Sequence, residues 1–179
     1  MGVDRWCLGR GVAIDGNRMS SDTGGGSPYT SHTDAERAAM LDALGVESEA
    51  DLFDVLFAVN LKTVFLASKH SIPHLQETGG AIVSVSSRSS LSGGAGDGIY
   101  RASKAGVRIL TETIAEENLG TVRANAIMPS VIDTPMNREM MEYDESWVDP
   151  ADIAEVVLFL CSDAAGVTSG AAVPVYGEA

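Results

Sequence analysis

The stretch Ser84–Leu110, SVSSRSSLSGGAGDGIYRASKAGVRIL, holds seven serines, a glycine-rich loop, and a tyrosine and a lysine four residues apart. On a helix, Tyr100 and Lys104 would share one face. A phenol with a pKa of about 10 is nearly inert as a base at neutral pH. An ammonium about 4 Å away contributes on the order of 4 kcal/mol at an effective dielectric near 20. That corresponds to about three pKa units, an upper-end value because solvent and desolvation compete. Such a tyrosine can exchange a proton near neutrality. The competing reading is a Tyr-x-x-x-Lys on an ordinary solvated helix, with the serines serving strand edges and turns. Spacing alone leaves both open.

The elements around this stretch alternate. Ser48 followed by Asp51 resembles a capping box and opens a long helical pattern through Leu75, buried along Leu52, Leu56, Val59, Phe65 and Leu66. Asn60 interrupts that side, and a mid-helix asparagine costs helix propensity, which makes it odd as filler. The β-branched run GAIVSVSS reads as a buried strand. A loop then leads to a helix around Tyr100–Leu119, ended at Gly120. VRANAIMP is a second strand. Asp149 and Pro150 form a cap and first-turn pair for a helix over Ala151–Cys161, whose Ile153, Val156, Val157 and Leu160 mark a core face. GAAVPVYG is a third strand. Strands alternating with helices across short connections predict parallel pairing and a three-layer α/β/α sandwich.

With those elements in place, IVSVSSRSSLSGGAGDGIYRASKAGVRIL resembles the active-site segment of the short-chain dehydrogenase/reductase family. The resemblance implies the fold, a partial Rossmann-like doubly wound parallel sheet, and the activity, an NAD(P)-dependent oxidoreductase transferring hydride between nicotinamide and a carbonyl, an alcohol or a similar substrate. The family places a serine thirteen residues before the tyrosine, and counting back from Tyr100 gives Ser87. By resemblance Ser87 bonds the substrate carbonyl, Tyr100 is the acid and base, and Lys104 lowers the tyrosine pKa and binds the nicotinamide ribose. Asn60, in FAVNLKTVFLASK, matches the family's asparagine that maintains a proton-relay water chain. The logic is sound chemically, because hydride arriving at a carbonyl carbon creates alkoxide charge that donors stabilise. RANAIMPSVIDTPMNR is similar to the family's stretch after the sixth strand, so Pro129, Ile132 and Thr134 are expected at the cofactor, the latter two near the carboxamide. Ser130 replaces the usual glycine there, a change that would limit the backbone angles. Trp147 to Pro150 leans toward the dihydropteridine-reductase-like subgroup.

The resemblance spans residues 48–179, the catalytic half of such a domain. Residues 1–47 read as a divergent, irregular segment, with one short strand at Cys7–Ile14 and a small helix at Asp34–Ala43. The family's strand followed by Thr-Gly-x-x-x-Gly-x-Gly, whose glycines let backbone amides approach pyrophosphate, is not found. GRGVAIDG offers Gly9 and Gly11 but Ile14 where a third glycine is needed, and TGGGSPYT places Pro28 and Thr30 where glycines belong after Thr23 and Gly24. The chain therefore reads as N-terminally truncated, with NAD or NADP as the implied cofactor and no residue to choose between them. An alternative stays open: a non-catalytic relative that has lost cofactor binding and acts as an interaction or structural protein.

A formal charge of −13 argues against nucleic acid and anionic membranes as partners, and no apolar run reaches membrane-spanning length. Cys7 and Cys161 lie far apart without ligand spacing, so reduced thiols and a cytoplasmic setting are the default. His70 and His74 have metal-like spacing, but Pro73 lies between them and no third ligand is evident, so no metal site is expected. The partners expected are a small-molecule substrate and further copies of the chain. The family's two long helices, here Glu49–Leu75 and Tyr100–Leu119, imply a homodimer or homotetramer.

Overall fold

The computed structural model describes residues 45, 48–94, 97–140 and 142–177. The strand expected at Cys7–Ile14 and the helix expected at Asp34–Ala43 lie outside the described residues.

Helix α1 spans Glu49–Phe57. Ser48 caps it as the sequence predicts, its Oγ accepting from the Asp51 amide at 3.2 Å while its hydroxyl donates to the Asp51 carboxylate at 2.7 Å. The long helix then departs from a single regular rod. Residues Ala58–Lys62 form a π-helical turn, and regular geometry resumes in α2, Thr63–Thr78. Gly79, at φ 66°, ends α2 in the left-handed region, its amide bonding the Leu75 carbonyl. Strand β1, Ala81–Val85, is followed by a 3₁₀ turn at Arg88–Leu91 and by α3, Gly98–Glu117. Strand β2, Arg123–Pro129, leads to the short helix α4, Pro135–Met140, and to α5, Pro150–Cys161. Asp149 caps α5 by accepting from the Ala151 amide at 2.7 Å, with Pro150 in the first turn. Strand β3, Ala172–Val175, completes the sheet.

The described sheet is parallel, in the order β1-β2-β3, with Val85 opposite Ile127 and Pro129 opposite Val175. Period-two alternation sorts its side chains. Ile82 and Ala124 face α2 and α3, where they pack with Ile114, Ala115, Val122, Ile72, Leu75 and Leu110. Val83, Ile127 and Val175 face α5 and pack with Leu160, Val148, Val156 and Val157. Strand β2, central and covered on both faces, is buried from Ala124 through Pro129. The three-layer, doubly wound arrangement of the sequence reading is therefore the fold.

Two polar fasteners hold the lower end. Arg123 donates to the carbonyls of Leu160 and Ser162 at 2.7 and 3.0 Å, satisfying acceptors at the carboxyl end of α5. Asn125, fully buried, accepts from the Ala171 amide and donates to the Thr168 carbonyl, fixing the entry to β3. Among the described residues no helix is long and apolar enough to cross a membrane.

Candidate active site

The carboxyl end of β1 gathers the chemistry-bearing residues. Ile82, Ser84 and Ser86 alternate toward α3, and Ser86 uses that position to donate to the Lys104 carbonyl at 2.8 Å. From the other side, Lys104 Nζ donates to the Val85 carbonyl at 3.2 Å. These two bonds pin the middle of α3 to the end of β1, where Ser87 leaves the strand in extended geometry (φ −160°, ψ 153°). Ser87 Oγ accepts from the Ser89 amide at 3.1 Å, so its own proton remains to be donated outward.

Tyr100 lies in the first turn of α3 with only 5% of its surface exposed, and Lys104 follows one turn later, its Nζ 5.8 Å from the tyrosine ring centroid. The helical spacing thus places both side chains on one face. Asp97 starts this helix, is buried, and forms an ion pair with Arg101, which also donates to the Ser92 carbonyl at 3.2 Å. A carboxylate at that terminus disfavours phosphate. The glycines before α3 thus lead into a helix whose start is occupied by that ion pair.

Asn60 sits in the π turn and is buried. Its Nδ2 donates to Ser103 Oγ at 3.0 Å, and Ser103 Oγ donates to the Tyr100 carbonyl at 2.8 Å. A Cβ at Gly106 would meet Leu61 Cδ2 at 3.0 Å, so the glycine lets the π turn approach α3 just beyond Ser103.

Past β2, Pro129 ends the strand, and Ile132 pairs with Val148 in an isolated parallel bridge. Thr134 Oγ1 accepts from the Asn137 amide at 3.2 Å, which leaves its proton to donate. Asn137 Nδ2 donates to the Ile132 carbonyl at 2.7 Å, while its Oδ1 is buried without a partner. A spare donor and an orphaned acceptor on one turn suit a carboxamide, so the residues fit the nicotinamide end of a dinucleotide. No glycine-rich turn opening a helix for pyrophosphate occurs among the described residues, and Gly9, Gly11 and Gly24 lie outside them. Ser130, in the usual glycine position, is not at positive φ and so carries no backbone strain. Its amide bonds the Val175 carbonyl and its hydroxyl bonds the Tyr176 carbonyl at 3.1 Å.

The sequence reading missed Ser86, Ser103 and Asn137 as positioning residues. Small hydroxyl and amide side chains carry no periodic signal, and their partners lie on other elements. His70 and His74 are exposed on α2.

A family profile described as enoyl-(acyl carrier protein) reductase matches residues 35–177. The 3-oxoacyl-[acyl-carrier-protein] reductase of Thermotoga maritima is 34% identical over 148 residues, covering 76% of this chain and 60% of that protein. The (3R)-3-hydroxyacyl-CoA dehydrogenase of Mus musculus is 40% identical over 144 residues, covering 73% of this chain and 55% of that protein. The crystal structure of acetoin dehydrogenase from Enterobacter cloacae superimposes with a TM-score of 0.64 at 27% identity, covering 73% of this chain and 56% of the other. The chain thus spans little more than half the length of these three proteins.

Proposed function

The chain belongs to the short-chain dehydrogenase/reductase family, and from that premise we propose that it is an NAD(P)-dependent oxidoreductase interconverting a carbonyl and an alcohol with Tyr100 as acid and base. The observation that carries this reading is the double tie between α3 and the end of β1, Lys104 Nζ to Val85 and Ser86 to the Lys104 carbonyl. It supports a site in which Ser87, Tyr100 and Lys104 act together.

A bound nicotinamide would supply or accept the hydride. Ser87 donates its proton in a hydrogen bond to the carbonyl oxygen, stabilising the negative charge that grows there. Tyr100 delivers a proton to that oxygen during reduction and takes it back during oxidation. The Lys104 ammonium favours the phenolate left behind and, following the family pattern, holds the ribose. Asn60 supports a proton-relay water chain, while Pro129, Ile132 and Thr134 line the cofactor's nicotinamide end. The names of the relatives favour a 3-oxoacyl or 3-hydroxyacyl substrate. NAD and NADP remain equivalent candidates.

A second reading, a non-catalytic relative, draws on the lack of a phosphate-binding turn among the described residues. Titration with NADH and NADPH, followed by nucleotide fluorescence, separates the two. Saturable binding is expected, and Tyr100→Phe should abolish turnover while leaving that binding intact. No binding at millimolar nucleotide would overturn the enzymatic reading for this chain.

A further inference from the structure

Arg88 stands next to Ser87 and is the first residue of the 3₁₀ turn that follows β1. Its guanidinium carbon lies 4.9 Å from the centroid of the Tyr176 ring, which follows β3. Because β2 lies between β1 and β3, the side chain reaches across the carboxyl end of the central strand. That end of an open parallel sheet is where such folds place their ligands. Tyr176 is itself held, since its carbonyl accepts from Ser130 Oγ.

The remaining arginines among the described residues are all engaged with oxygen acceptors. Arg101 pairs with Asp97, Arg108 with Glu112 and Arg138 with Asp133, while Arg123 is taken by two carbonyls. Arg88 alone of the five has no carboxylate or carbonyl partner among the described residues, in a chain with 25 acidic and 12 basic side chains. An arginine without an acid among the described residues, its guanidinium carbon set over an aromatic ring, presents a donor fork suited to a planar oxyanion.

We propose that Arg88 is a specificity-determining residue that receives a carboxylate carried by a substrate whose carbonyl is held at Ser87. The proposal rests on the carbonyl-binding reading of Ser87 and narrows the oxoacyl or hydroxyacyl class suggested by the relatives' names to an oxo or hydroxy compound that also carries a free carboxylate. The phosphates of a coenzyme A thioester are too remote from its reacting carbonyl to be this anion, because the whole pantetheine arm separates them. Arg88 is exposed, so a ligand can reach it.

The test needs no nucleotide, which keeps it independent of the activity. Pyruvate, acetoacetate and levulinate, each beside its neutral methyl ester, are titrated against the protein by ligand-detected saturation-transfer NMR. At least one acid should bind about tenfold more tightly than its ester, the preference expected for one charge-assisted hydrogen-bonded pair. Arg88→Met should remove that preference, and Arg88→Lys should retain part of it. Thermal melts of each variant report whether the fold persists. Acids binding no better than esters, no acid binding at all, or an Arg88→Met protein that keeps the preference would each overturn the proposal. A variant that melts earlier yet discriminates as before would mark the Arg88–Tyr176 stack as a structural fastener alone. Carboxylate recognition without nucleotide binding would leave the Arg88 site standing while the redox activity fell.

Discussion

Asn60 Nδ2 and Ser103 Oγ meet at 3.0 Å across 43 residues of sequence, both buried, and join the π turn to the helix that carries Tyr100. The π turn gives Asn60 this reach, since widening the helix by one residue per turn swings its side chain out of the regular α register, a distortion common at functional sites. Ser103→Ala would leave the asparagine amide buried without its acceptor, at a cost of about 1–3 kcal/mol. Urea denaturation should show a lower midpoint with an unchanged slope. Combined with Asn60→Ala, the two losses should be clearly less than additive. Strictly additive losses would show that the contact contributes nothing of its own.

That pair also marks the boundary of what the sequence discloses. The face shared by Tyr100 and Lys104 follows from helical spacing, and the parallel sheet from the alternation of short apolar runs with helical ones. The caps at Ser48 and Asp149 are likewise local and legible. The π turn is not, because bonding five residues ahead has no signature beyond an isolated asparagine in an otherwise apolar side. Ser86 and Ser103 could not be separated from the neighbouring serines, since what distinguishes them is a partner on another element. Helix α4 spans only Pro135–Met140, too short for periodicity to speak. The site was legible where one element decides it, and hidden where two must meet.

Gly79 shows a purely local constraint. Its φ is 66°, and a Cβ added there would meet nothing within 4 Å. Gly79→Ala should therefore destabilise by about 1 kcal/mol through backbone conformation alone, and Gly79→Asn by less. Chemical denaturation measures both. A neutral alanine would mean that the end of α2 relaxes out of the left-handed region at no cost.

Asp133 and Arg138 form a two-bond ion pair beside Thr134, one of the bonds 2.7 Å long, and Arg138 also stacks on Tyr143 at 4.2 Å. The hydrogen bond from Arg138 lowers the Asp133 pKa below the ordinary aspartate range. A depressed carboxylate contributes stability that is present above its unfolded pKa and is lost as pH falls through the lower folded value. Solvent screening keeps that contribution small, so the sensitive readout is the carboxyl itself. Carbon-detected NMR titration should find Asp133 ionising at unusually low pH, and Arg138→Gln should return it upward. An unchanged titration in that variant would show that the pair does not persist in solution.

The long helices carry apolar side chains that their own sheet leaves uncovered. Phe53 and Phe65 are 44% and 47% exposed, Leu66 40% and Ile109 50%, and Phe53 stacks on Phe57 with ring centroids 4.2 Å apart. Apolar area of this kind on α1, α2 and α3 is typical of association surfaces. We propose a second copy of this chain as the occupant, the partner that the resemblance to the family implies for these helices. A closed two-fold contact repeats each residue on both partners, so a single charge inserted there is doubled in the assembly. Phe65→Asp should therefore dissociate the oligomer, seen by sedimentation velocity as a shift to the monomer, while Leu158→Asp, on the exposed side of α5, should leave it intact. A wild-type chain that sediments as a monomer at high concentration would remove the self-association reading. Equal dissociation by both substitutions would move the contact away from the long helices.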